Sequence, residues 1–260
     1  MKPITSRDNP AVKALHALAT SARARRDGGE TLLDGPHLLG VALGRGLRPT
    51  RVAVSESGLR QPEIAALLAA CDPQACIALP DRLFAHVSPV DAPSGVLAVI
   101  PIPAAPAGPL AAGDCVLLDG VQDPGNLGTI LRTAAAVGIR QVLLTPGCAL
   151  AWSPRVLRAA MGAHFGLTIR EAVNPASVLD GFPGAILAAD LQESVPLYQL
   201  DLRGPVAWLF GSEGQGLSPA VAALASRRVR IPMPGGMESL NVGVAAGVCL
   251  FEQLRQRSVG

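Results

Sequence analysis

The sequence predicts an α/β protein, with a parallel sheet covered by helices on both faces and a smaller α/β domain before it. Three observations carry this. In the second half, short apolar, β-branched runs alternate with helix-like stretches, the pattern of strands buried on both faces. Three polar, glycine-bearing loops each begin where such a run ends, which is where parallel sheets bind ligands. A Pro/Ala run at 101–109 separates this half from a first part with its own alternation of elements.

In the first part, Asn9 and Pro10 open an apolar-periodic helix at 11–24 with basic residues on its other side. A short strand and turn follow at 31–36, then a helix at 36–43, a strand at 51–55, a helix at 62–71 and a strand at 95–100. The run at 101–109 favours extended, solvated backbone, so the chain is expected to divide into a domain at 1–100, this linker, and a domain at 110–260. The second domain reads as strand 114–118, helix 126–137, strand 141–145, helix 153–162, strands 185–190 and 206–210, helix 219–225 and strand 228–231. The loop at 231–241 then leads into a helix whose small residues, Val242, Gly243, Ala245, Ala246 and Gly247, let another backbone approach closely.

The bulk composition narrows the function. At 260 residues, with 49% hydrophobic and 3% aromatic residues, the chain can fill its cores with Ala, Val, Leu and Ile. Its apolar runs are broken by Gly, Pro or charge well short of a membrane span, so no membrane partner is expected. Residues 1–7 are polar and no secretory signal is expected. Five cysteines, odd in number and without a C-x-x-C pair, read as reduced thiols of a cytoplasmic protein. Four histidines without ligand spacing give no reason to expect a metal. A net charge of +2 is only mildly basic, so any case for nucleic acid rests on local clusters. These are Arg23, Arg25 and Arg26; Arg227, Arg228 and Arg230; and Arg155 with Arg158, spaced for one helix face. One Tyr and two Trp provide no stacking platform for single strands.

The chemistry-bearing residues lie in the three loops: 118–132 (LDGVQDPGNLGTILR), 209–218 (LFGSEGQGLS) and 231–245 (IPMPGGMESLNVGVA). Asn126 reads as a helix cap with Arg132 under two turns away, so both can overlook one pocket. By spacing alone, Asn126 is equally a simple cap and Arg132 the partner of a surface acid. Glu213 is either a carboxylate paired with an arginine or a solvated turn residue. Ser239 and Asn241 read as helix-starting residues beside a loop whose backbone groups are left for other partners. The glycines at 211–216 are not a dinucleotide fingerprint, because they come late in the chain and no acidic residue ends a following strand at the right distance.

In order, spacing and residue type, the three loops resemble the signature motifs of the SpoU (TrmH-type) RNA 2′-O-methyltransferases, over about residues 114–255. Residues 6–13 (SRDNPAVK) and 33–35 (LDG) resemble that family's N-terminal substrate-binding domain, a small α/β fold similar to certain ribosomal proteins. Asp34 stands where members more often carry Glu. The resemblance implies a deep trefoil knot in the C-terminal domain, a feature nearly absent from proteins at large. It also implies S-adenosylmethionine as cofactor and a homodimer with its active site near the interface. The implied activity is methyl transfer to a ribose 2′-hydroxyl of structured RNA, ribosomal RNA before transfer RNA. The alternative is a non-catalytic RNA-binding protein of the same fold.

Carried over by position, the catalytic set is Asn126, Arg132, Glu213, Ser239 and Asn241, with cofactor contacts at Gly211, Ile231, Leu240 and Thr145. A guanidinium with a pKa above about 12 is a poor base, so Arg132 is expected to stabilise the developing alkoxide and grip the adjacent phosphate. Glu213 is expected to orient Arg132, while Asn126, Ser239 and Asn241 hold the ribose and the cofactor loop. RNA contacts are expected at Arg23, Arg25, Arg26 and Arg155.

Overall fold

The structure, a computed structural model, describes residues 1–106, 108, 110 and 112–258. Two compact units are present: Met1–Ala104 with Trp152–Phe165, and Ala105–Ala151 with Gly166–Gly260. Ala107 and Pro109 of the expected linker lie outside the described residues.

The first unit begins with β1 (Lys2–Pro3) and α1 (Pro10–Thr20). Asn9 caps α1 by accepting from the Ala11 N–H, Pro10 suits the first turn, and Val12, Leu15 and Leu18 bury one stripe. The single helix expected at 11–24 breaks at Ser21. There the Ser21 hydroxyl accepts from the Ala24 N–H at 3.1 Å and starts α2 (Ala22–Gly28), a local bond that competes with continuing α1. Next come β2 (Glu30–Asp34), α3 (Pro36–Gly44), β3 (Arg51–Ser55), α4 (Pro62–Ala69), β4 (Cys76–Leu79), α5 (Asp81–Val87) and β5 (Val96–Pro101). The sheet order is β1-β4-β3-β5-β2, with β5 antiparallel to β2 and β3 and the other pairs parallel. Leu97 and Val99 of β5 face a core shared with Leu15 and Leu18 of α1 and Phe84 and Val87 of α5. β4 and α5 escaped the sequence reading because four residues from Cys76 to Leu79 are too short to show a period. Pro101, assigned above to the linker, is the last residue of β5 and pairs with Glu30.

The second unit opens with β6 (Cys115–Asp119), α6 (Pro124–Ala136) and β7 (Gln141–Leu144). The next helix, α7 (Pro154–Ala160), groups with the first unit. It is held there by the buried Thr31 hydroxyl, which donates to the Trp152 carbonyl at 2.6 Å, and by Arg158 paired with Asp34 at 3.5 Å. The second unit resumes with β8 (Thr168–Arg170), α8 (Pro175–Val178), β9 (Ala185–Ala189), β10 (Val195–Pro196), β11 (Val206–Gly211), α9 (Pro219–Ala222), β12 (Arg227–Arg230) and α10 (Val242–Ser258). Every strand pair is parallel, in the order β10-β12-β9-β11-β6-β7-β8. Residues 115–118, 141–144 and 206–210 are buried without a break, as a sheet covered on both faces requires. One face packs Leu117, Leu143 and Leu209 against Leu179 and Val221. α10 lies against α6 and β11. No helix among the described residues is long and apolar enough to cross a membrane, and none of their His, Cys, Asp and Glu side chains form a group of three or more able to hold a metal.

α10 is fastened by one carboxylate. Asp114, just before β6, accepts from Arg257 Nη1 at 2.5 Å, Gln253 Nε2 at 3.0 Å and the Val206 N–H at 2.9 Å, while Gln253 Oε1 accepts from Trp208 Nε1 at 2.7 Å. Burial works against the charged form of Asp114. The bonds from Arg257, Val206 and Gln253 outweigh it and hold the carboxyl below its ordinary range. Its stabilising contribution is therefore complete above the unfolded carboxylate pKa of about 4 and is lost as pH falls through the lower folded value. Asp114→Asn is expected to destabilise the second unit by about 1–2 kcal/mol at neutral pH. It should also lose less stability than the parent between about pH 5 and pH 3. Urea titrations at those pH values check this, and an unchanged acid limb in the variant would contradict it.

Candidate functional site

The carboxyl ends of β6, β9, β11 and β12 carry the loops of interest. After β6 the chain turns into α6, whose cap is Asp123, not Asn126: the Asp123 carboxylate accepts from the Asn126 N–H at 2.7 Å, and Pro124 occupies the first helical turn. Asn126 is thereby freed from capping, and its side chain joins the other loops. Asn126 Nδ2 donates to Glu213 Oε1, and Asn126 Oδ1 accepts from Asn241 Nδ2 at 2.9 Å. Asn241 Oδ1 in turn accepts from the N–H groups of Gly243 and Val244, at 2.9 and 3.2 Å, capping α10. Asn126, Glu213 and Asn241, one from each predicted loop, thus form a single network.

Two glycines make this convergence possible. A side chain on Gly211 would put its Cβ 2.1 Å from the Gly216 carbonyl carbon, because Ser212 and Gly216 pair backbone to backbone and fold the loop back over β11. At Gly243, a Cβ would meet Thr129 of α6 at 3.3 Å and Asn241 Oδ1 at 3.1 Å. The small residues of α10 expected to permit close approach do so at this point, against α6.

Arg132 lies on α6 beyond Asn126, is exposed, and makes no hydrogen bond or ion pair among the described residues. Among the described residues no bond joins it to Glu213, whose Oε1 accepts from Asn126 instead of meeting Arg132 as expected. Ser239 and Leu240 line a cleft with Ile231, Met233, Asp190 and Leu191, with a volume of about 130 Å³. Ala189 and Asp190, at the end of β9, were missed by sequence reasoning. The signal was present: Asp190 is the first polar residue beyond a parallel strand, the position where ligands bind. Asp190 also pairs with Arg228 at 3.2 Å.

Gly211 ends β11 and does not line that cleft. Thr145 lies elsewhere again. It is buried, donates to Asp119 Oδ1 at 2.9 Å and accepts from the Gly120 N–H at 3.1 Å, in a separate cleft with Ser218 and Asn174. The arginine clusters divide likewise. Arg25 is buried and donates to the Leu18 carbonyl at 2.7 Å, satisfying a backbone group left open where α1 breaks, so the expectation that it contacts RNA is corrected. Arg23 pairs with Asp27 at 3.2 Å, Arg228 with Asp190, and Arg230 donates to the Ser194 carbonyl. Arg26 and Arg155 are exposed and have no partner among the described residues. Burial pushes the thiols of Cys115, with Asp114 adding to it, and of Cys249 up to about 12, so neither is a thiolate at neutral pH.

The model of the SpoU rRNA Methylase family matches residues 114–251, and that of the MRM3-like substrate binding domain matches residues 9–98. A tRNA/rRNA methyltransferase of Synechocystis sp., itself described as uncharacterized, is 37% identical over 98% of this chain and 94% of its own length. The 23S rRNA (guanosine-2′-O-)-methyltransferase RlmB of Xylella fastidiosa is 42% identical, but the match spans 55% of this chain and only 59% of RlmB. The crystal structure of the SpoU methyltransferase AviRb from Streptomyces viridochromogenes, in complex with AdoMet, superposes with a TM-score of 0.87 at 28% identity, over 97% of this chain and 99% of that one.

The network makes a stability prediction that separates Asn241's two bonds. Asn241→Ala removes the cap of α10 and is expected to cost about 1 kcal/mol, whereas Asn241→Asp keeps the capping acceptor and recovers most of it while losing the donor to Asn126. Denaturant midpoints of the three proteins measure this. Equal losses in both variants would show that the cap is not what Asn241 contributes.

Proposed function

Because the chain belongs to the SpoU rRNA methylase family, we propose that it transfers a methyl group from S-adenosylmethionine to a ribose 2′-hydroxyl of structured RNA, ribosomal RNA foremost. The observation that carries this reading is the joining of the three loops through Glu213, Asn126 and Asn241, next to the cleft lined by Ser239 and Leu240. A binding protein without turnover has no use for that whole set. The RlmB relative supports ribosomal RNA, and the Synechocystis relative keeps transfer RNA as the second substrate class.

The cleft fits the cofactor in character: apolar side chains from Leu191, Ile231, Met233 and Leu240 line it beside a loop without regular hydrogen bonding, and Asp190 stands at its polar side. Ile231, Leu240 and Ser239 would hold the cofactor, with Gly211 closing the adjoining strand; Thr145 is not assigned to it. When bound, S-adenosylmethionine supplies an electrophilic methyl on a sulfonium. Arg132, exposed and unpaired, grips the phosphate next to the target ribose and stabilises negative charge as it grows on the 2′-oxygen. Asn126 fixes the loops through one bond at each end of its side chain, and its second Nδ2 proton and second Oδ1 lone pair stay available to the ribose. The second oxygen of Glu213 makes no bond among the described residues and is available to take the hydroxyl proton.

In this reading residues 1–100 bind RNA, 101–109 link, and 110–260 transfer the methyl group. A trefoil knot in the second domain is supported by the path of the chain: β12 lies beyond β9, yet the following segment returns to pack α10 on α6 and β11. A homodimer is supported by the exposed Val244 and Phe251, two turns apart on α10. A cytoplasmic setting is supported by five free cysteines.

The test is incorporation of labelled methyl from the cofactor into ribosomal RNA. Arg132→Ala should reduce turnover by about 10²–10³-fold with cofactor affinity retained, and Arg132→Lys should recover little, because an ammonium makes no bidentate contact. Turnover at the parent rate in Arg132→Ala would sink the assignment. For RNA affinity, Arg26→Ala and Arg155→Ala are each expected to lower the salt slope by about 1. Arg25→Ala should leave that slope alone and lower stability instead.

A further inference from the structure

The 211–218 loop, which carries Glu213, is held at both ends by one residue. Gly211 at its start stands in strand register with Asp119, and the Ser218 N–H at its end donates to Asp119 Oδ2 at 2.7 Å. Between them the backbone pairing of Ser212 with Gly216 closes the loop, leaving Glu213 to Gln215 as its tip. Asp119 Oδ1 accepts the Thr145 hydroxyl at 2.9 Å, and that hydroxyl accepts the Gly120 N–H at 3.1 Å. Asp119 also ends β6, the strand whose following turn delivers Asn126.

We propose that Asp119, held by the buried Thr145 hydroxyl, is a positioning residue that sets where Glu213 meets Asn126. The inference rests on the methyltransferase reading for its consequence in catalysis, though the geometry stands without it. Only a carboxylate can accept from Ser218 and Thr145 at once without a competing donor; an asparagine turns an N–H toward one of them. Charge-assisted bonds of this kind fix a loop more tightly than neutral ones, and a displacement of about 1 Å at a reacting group can cost roughly 10²-fold in rate.

The experiment compares Asp119→Asn, Thr145→Val, Thr145→Ser, Glu213→Gln and the double variant Asp119→Asn/Glu213→Gln in the full-length protein, with labelled S-adenosylmethionine and ribosomal RNA. In Asp119→Asn, kcat should fall about tenfold or more while KM for the cofactor moves less than about twofold. The double variant should be no slower than the slower single one, since both losses pass through Glu213. Thr145→Ser should recover most of what Thr145→Val loses, which a role in packing alone would not produce. A parent-like kcat in Asp119→Asn, losses that multiply in the double variant, or equal loss in Thr145→Ser and Thr145→Val would each overturn the proposal.

Amide hydrogen exchange provides an arm independent of activity. Ser218 and residues 212–217 should exchange faster in Asp119→Asn than in the parent, and unchanged exchange there also overturns the proposal. Should the parent transfer no methyl group to RNA, the functional reading falls while the exchange result still decides the role of Asp119.

Discussion

The side-chain amide of Asn126 ties the second unit's loops together, and the geometry of the site follows from it. Parallel strands cannot be joined by tight turns, so each crossover brings its loop to the carboxyl edge from a distant part of the chain. Residues 126, 213 and 241 are thus far apart in sequence and adjacent in space. An amide suits the meeting point because it has a donor end and an acceptor end in one plane: Nδ2 gives to Glu213 and Oδ1 takes from Asn241. An aspartate at 126 would set a second negative charge against Glu213 and offer no donor to it. The network continues into secondary structure, because Asn241 also starts α10, and α10 is closed at its far end by Arg257 on Asp114.

Much of this was legible in the sequence where a physical pattern ran long enough to be read. Strands β6, β7 and β11 are continuous apolar runs because both faces are covered, and their buried stretches lie where the runs were seen. The glycine at 243 advertised close backbone approach and has Thr129 within contact of a missing side chain; Gly211, read only as a cofactor contact, is crowded still more closely by Gly216. Short elements were illegible for the opposite reason. β4, β8 and β10 have two to four residues each, and their strand state comes from pairing with neighbours that no local window contains. The break in the first helix turned on one serine whose hydroxyl preferred the Ala24 N–H, a local competition that apolar periodicity averages away.

The site shows the same division. The resemblance selected Asn126, Glu213 and Asn241, and the structure joins them; it did not reveal that Asp123 would cap α6, which is what releases Asn126 for the network. Thr145 sits one residue beyond β7, as a ligand-binding residue would, but the nearest acceptor is Asp119 and its hydroxyl is spent there. Asp119 drew no attention in the sequence because an acid at the end of a strand usually faces water. Its partners, Ser218 and Thr145, become neighbours only once β6, β7 and β11 lie side by side.

Arginine shows most clearly how position decides role. Arg25 closes a helix break, Arg158 meets a buried acid, Arg228 and Arg230 fasten the end of β12, Arg255 pairs with Glu252 within α10, and Arg257 fastens α10 to Asp114. With a net charge of only +2, contact with phosphate falls to the guanidiniums left exposed and unpaired among the described residues. Arg132 is one of them, and no bond ties it to Glu213. Had Glu213 paired with Arg132, an incoming phosphate would have had to displace a carboxylate before being gripped. By accepting from a neutral amide instead, Glu213 leaves the guanidinium open and keeps one oxygen of its own uncommitted. Arg132 is left exposed and without a partner among the described residues, and the asparagine at 126 satisfies only one oxygen of Glu213.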